Sequence, residues 1–73
     1  MMTLKDVEVL SQGLQKRHIQ ASVRDICACC KIVKHHYILD IDRLQARLIK
    51  DGKAGIGELQ DFKLTLERIK NDR

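Results

Sequence analysis

The sequence has no proline, no tryptophan and only two aromatic residues, Tyr37 and Phe62. With a third of the chain charged, that composition favours helix over sheet. No run of residues approaches the roughly 20 apolar positions of a membrane span, and no apolar stretch near the start reads as a secretory signal. Cysteine is sparse and odd in number, three residues confined to positions 27, 29 and 30. Adjacent Cys29 and Cys30 suit a structural disulfide poorly, and any pairing leaves one thiol over. Together these absences predict a reduced, cytoplasmic protein with no membrane association. Gly-rich phosphate loops, paired acidic sites and oxyanion arrangements are also missing, so no enzyme activity, no small-molecule substrate and no cofactor are expected.

What is present is mostly amphipathic helix. At 73 residues the chain forms a single small domain, 1–73, with little core to bury, and such domains usually need a staple or a partner. Thr3 is an N-cap candidate, and Leu4, Val7, Leu10 and Leu14 recur at steps of 3, 3 and 4, predicting a helix over 3–18 with Gly13 inside it. Ser22 followed by Asp25 makes a short capping box that opens a second helix. Three of the four glycines lie in 51–57 and predict a loop there. Leu59, Phe62, Leu66 and Ile69 then predict a third helix over 58–70, with its basic end at Arg68 and Lys70.

The middle segment reads as one helix over 23–50, about 29 residues or about 43 Å long counting its cap. Val23, Cys27, Cys30, Tyr37, Ile41, Leu44 and Leu48 form its main stripe in steps of 3 and 4, with Lys34 filling one missing step. Ala28, Ile32, Leu39 and Ala46 form a second stripe on the other side, within about 40° of one another. The expected fold is therefore all-α. A long central helix and a shorter C-terminal helix form an antiparallel hairpin, and the N-terminal helix packs across it. A rod apolar on two sides calls for a second partner. The expected function is a protein-interaction module, a self-associating adaptor, chaperone-like protein or inhibitor, that binds itself or another protein through Ala28, Ile32, Leu39 and Ala46.

The run CACCKIVKHH, residues 27–36, raises a metal site as an alternative, but zinc ligands usually come as two separated pairs. On a continuous helix Cys27 and Cys30 point into the apolar stripe while Cys29 turns to the polar side beside His36. No four ligands converge, and no metal is expected. Cys27 and Cys30 read as core residues, and Cys29 as an exposed thiol or one that pairs between molecules. His18 falls at the edge of the first helix's apolar face, as a packed or capping residue.

The competing function is nucleic-acid binding. Residues 16–36 hold Lys16, Arg17, Arg24, Lys31 and Lys34 against Asp25 alone, a net of +4, which equals the net charge of the whole chain. The string SVRDICACCKIVKHHYILDIDRL, residues 22–44, resembles a helix-turn-helix segment: Ile26 and Cys27 in the first helix, Ile32 after the turn and Tyr37 inward in the second. Glycine is usual at the turn, where this chain has Lys31, and Asp40 stands at a late inward position. The resemblance implies that Lys34, His35 and His36 face the major groove, with Lys16, Arg17 and Arg24 on phosphates. Residues 44–69 look like the two-helix oligomerisation segments called SHOCT, with Ile56 and Phe62 one residue further apart than that pattern has them. This likeness implies a helical hairpin and nothing more specific.

Overall fold

A computed structural model of the chain describes residues 2–71. The elements run α1 (Leu4–Lys16), α2 (Val23–Ala28), β1 (Cys30–Val33), β2 (His36–Leu39), α3 (Ile41–Lys50), a 3₁₀ turn (Gly57–Leu59) and α4 (Phe62–Asn71). The all-α expectation is thus overturned: four helices accompany a two-stranded antiparallel sheet. No helix among the described residues is long and apolar enough to cross a membrane.

Both helix starts near the N-terminus obey the capping logic of the sequence. The Asp6 N–H donates to Thr3 Oγ1 at 3.3 Å while the Thr3 N–H donates to Asp6 Oδ2 at 2.9 Å. Ser22 and Asp25 repeat this reciprocal pair at 3.2 and 3.1 Å. Helix α1 ends at His18, whose φ of 63° turns the chain left-handed. There the His18 N–H reaches Gln15 O and the Ile19 N–H reaches Leu14 O, each at 3.0 Å, so helix-end carbonyls that lack an intrahelical partner are satisfied. The expected capping role for His18 is therefore a backbone role, and its side chain is exposed. Helix α3 ends the same way through Gly52 at φ 68°, with the Lys53 N–H on Leu48 O at 2.9 Å.

The central rod does not form. Cys29 leaves the helical conformation at φ −102°, ψ 9°, and residues 30–39 make a hairpin in which Cys30 faces Leu39, Lys31 faces Ile38, Ile32 faces Tyr37 and Val33 faces His36. The two-residue turn is Lys34–His35, both at positive φ, 49° and 68°, the pattern of a type I′ turn. Sequence spacing misleads here for a definite reason. Directly opposed residues share a sheet face, so Cys30, Ile32, Tyr37 and Leu39 face one way. The seven-residue step from Cys30 to Tyr37 that mimics a heptad also joins two residues of this one sheet face, Cys30 opposite Leu39 and Tyr37 opposite Ile32. β-branched Ile32 and Val33, with Tyr37 and Ile38 after the turn, favour the strand alternative. The Met2 backbone extends the sheet, exchanging hydrogen bonds of 3.1 and 2.8 Å with Tyr37.

Two further expectations change. The third helix begins at Phe62 rather than Glu58, because Asp61 adopts φ 59° after the 3₁₀ turn. Helix α4 also packs chiefly on α1, not as the antiparallel mate of a central helix. The core joins Val7, Leu10 and Leu14 of α1 to Ile26, Leu44, Leu48, Leu59, Phe62, Leu66 and Ile69. Gly13 permits the α1–α4 contact: a Cβ there would lie 2.7 Å from Ile69 Cγ1, 2.9 Å from Cδ1 and closer still to Cγ2.

Gly13→Ala is expected to destabilise by about 1–2 kcal/mol, overpacking outweighing the roughly 1 kcal/mol of gained helix propensity; a raised melting temperature would refute the close contact. Replacing Lys34–His35 by Asn–Gly is expected to stabilise by about 1 kcal/mol, or a melting temperature about 4–8 °C higher. An unchanged or lowered value would mean that the turn carries no left-handed strain.

Candidate nucleic-acid interface

Asp25, in the first turn of α2, organises this part of the molecule. Its side chain is 4% exposed, and Lys53 Nζ lies 2.6 Å and Arg47 Nε 3.2 Å from its two oxygens. The Ser22 N–H and hydroxyl donate to the same carboxylate at 3.1 and 2.9 Å. Burial alone would raise the pKa of this carboxyl. The Lys53 ammonium, the Ser22 donors and the Arg47 guanidinium outweigh burial and hold it well below the usual carboxylate range. Four donors on one buried anion leave it ionised and satisfied.

This pairing matters for the surface. Asp25 is the only acidic residue between Glu8 and Asp40, so once it is buried and matched, that whole stretch presents only basic charge. Lys16, Arg17, Arg24, Lys31 and Lys34 are all exposed, and among the described residues none has a carboxylate within 4.0 Å. Arg17 bends back to donate from Nη1 to Gly13 O at 3.0 Å, at the C-terminal end of α1. Helix α2 carries Arg24 and packs on α1, β1 and β2.

The hairpin completes the arrangement. Lys34 and His35 form its tip and His36 opens β2, all exposed, while Lys31, Val33, His36 and Ile38 share the sheet face away from Cys30 and Tyr37. Lys16, Arg17, Arg24, Lys34, His35 and His36 are therefore solvent-facing, but their setting is not a helix-turn-helix. The segment expected to form a second, reading helix is β-hairpin, and the chain departs from α2 at Cys29 rather than Lys31. Lys31 joins the exposed cations, a residue the helix-turn-helix reading had assigned to the turn.

The apolar residues expected to share one helix face lie on three elements. Ala28 is exposed on α2, Ala46 is exposed on α3, and Ile32 and Leu39 share the inward face of the hairpin. Of that pair Leu39 packs against the core while Ile32, nearer the tip, is 59% exposed. The cysteine assignment is corrected: Cys29 is buried, and Cys27 and Cys30 are half-buried against the core. Burial raises all three thiols; that of Cys30 is pushed up to about 11 by burial and by neighbouring Cys27 and Cys29. Among the described residues no group of three or more His, Cys, Asp or Glu side chains is placed to hold a metal ion.

Comparison with protein-family models, with curated proteins and with solved structures finds no match for this chain.

Asp25→Ala is expected to cost about 2–4 kcal/mol, a lost cap of about 1 together with charge-assisted hydrogen bonds of about 1.5–3. Because the folded carboxyl has a lowered pKa, its contribution is fully present above the ordinary carboxylate range and fades as pH falls through and below it. The stability gap between the natural chain and Asp25→Asn in urea unfolding should therefore narrow from about pH 6 to about pH 2. A gap constant across that range would contradict the ion pairing.

Proposed function

We propose that the chain is a small nucleic-acid-binding module that grips duplex DNA with its basic hairpin and the adjoining ends of α1 and α2. One observation carries this reading: the exposed surface of residues 9–39 holds five lysines and arginines and no acid, its only carboxylate being buried between Lys53 and Arg47. Exposed cations with no acidic partner are the electrostatic footprint of phosphate binding. Shape supports it, since the major groove admits a two-stranded ribbon as readily as a helix. The Lys34–His35 turn adds support. Two non-glycine residues are held left-handed at the exposed tip of the hairpin, where Asn–Gly would be easier, and such strain recurs at functional positions. Duplex is favoured over single strands because neither Phe62 nor Tyr37 offers an exposed stacking platform: Phe62 is 3% exposed and Tyr37 packs against the core. Three free thiols suit a reducing compartment such as the cytoplasm.

Fluorescence anisotropy with a short duplex, repeated over a salt series, tests this. Five phosphate contacts give a slope of log K against log salt of about −4 to −5. Lys31→Ala with Lys34→Ala is expected to reduce its size by about 2, whereas Lys63→Ala with Lys70→Ala on α4 leaves it unchanged. Equal losses from both pairs, or no binding at low salt, would defeat the proposal.

A protein-interaction role keeps one specific support. Among the described residues strand β1 has a sheet neighbour on one side only, and it carries the exposed Ile32, features that suit strand addition by a second chain. Sedimentation over a micromolar concentration series is expected to show reversible association abolished by Ile32→Lys; a monomer throughout removes self-association.

A further inference from the structure

We infer that Cys27 and Cys30 are a dithiol pair that closes to an intrachain disulfide under oxidised glutathione, leaving Cys29 as the free thiol. The inference does not depend on nucleic-acid binding. Its basis is the joint at which α2 becomes β1. Ala28 is the last helical residue and Cys29 comes next at φ −102°, ψ 9°, with its N–H on Ile26 O at 3.0 Å. A helical residue followed by one near these angles is the central pair of a type I turn, which brings the outer two Cα atoms within about 7 Å. Those outer residues are Cys27 and Cys30, and a disulfide spans Cα separations of about 4.4–6.8 Å.

Orientation and access agree with this pairing. Cys27 and Cys30 are both half-buried against the same apolar cluster, so each is on the core side of the turn yet reachable from solvent. Cys29, between them in sequence, is 3% exposed and closed off. Burial raises both thiols, so the exchange needs mildly alkaline pH. Cys27 releases its proton to water, and its thiolate attacks one sulfur of glutathione disulfide, expelling a glutathione thiolate that takes up a proton. Cys30 then ionises and displaces the second glutathione from the mixed disulfide. The protein loses two hydrogens and gains one S–S bond, and glutathione disulfide is reduced to two thiols. The new bond fixes the joint between the helix bearing Arg24 and the hairpin bearing Lys31 and Lys34.

The natural chain, equilibrated with glutathione disulfide at mildly alkaline pH, quenched with acid and alkylated unfolded, is read by intact mass and by peptide mapping. Alkyl labels are expected to fall from three, one per free cysteine, to one, with no retained glutathione. Trypsin places all three cysteines on the peptide of residues 25–31, whose single label is expected on Cys29. Cys29→Ser is expected to close equally well and end with no label. Three labels, a stable glutathione adduct, or a label on Cys27 or Cys30 would each overturn the assignment.

Discussion

The carboxylate of Asp25 is the contact on which the middle of this molecule depends. Burying an ion costs several kcal/mol unless hydrogen bonds and opposite charge replace the lost water. Ser22, Lys53 and Arg47 do so from three places: the start of α2, the loop after α3, and α3 itself. The Gln20 N–H donates to Lys53 O at 3.4 Å, and the buried Ser11 hydroxyl to Ala21 O at 2.7 Å, which ties the α1–α2 connection into the same region. A chain of 73 residues has too small a core to position a six-residue helix by apolar packing alone. The ion pair supplies the missing constraint, and it also buries the one acid of residues 9–39. Structure and electrostatics thus share a cause.

Once α2 is anchored at its first turn, the residues downstream of it set the hairpin. Helix α2 ends at Ala28, Cys29 turns the chain, and the Asp40 N–H donates to Cys29 O at 3.0 Å, closing the base of the hairpin just before α3. Met2 holds the far side of β2 through Tyr37. At the tip Lys34 and His35 stand in left-handed conformations. Fixed base and charged tip are the physical basis of the proposed grip on phosphate.

The sequence made the ends of the molecule legible and its middle illegible. Helix α1 lies within the span its leucine spacing predicts, with the Thr3 cap and the Ser22–Asp25 box where their residue types place them. Gly52 marks the end of α3 as a glycine at a helix end commonly does, by turning left-handed after the last turn. The hairpin escaped because its turn contains neither glycine nor asparagine, and because Cys30, Tyr37, Ile41, Leu44 and Leu48 satisfy a helical period while the first two also lie on one face of the hairpin, opposite Leu39 and Ile32. One local signal was present: the β-branched pair Ile32 and Val33, then Tyr37 and Ile38, with only Lys–His–His between them. The exposed basic residues of the candidate site were legible from charge distribution alone. Their arrangement was not, since the partner that neutralises Asp25 lies 28 residues further along at Lys53.

The ionisation state of Asp25 in the folded protein is the quantity to measure. Carboxyl carbon shifts of ¹³C-labelled aspartate, tracked by NMR from neutral pH downwards, read it site by site. The Asp25 resonance should stay at its ionised position through the range near pH 4 in which an ordinary aspartate titrates, moving only at lower pH or on unfolding. A midpoint near that ordinary value in the folded chain would show a solvated carboxylate, and the anchored helix with its acid-free surface would have to be given up.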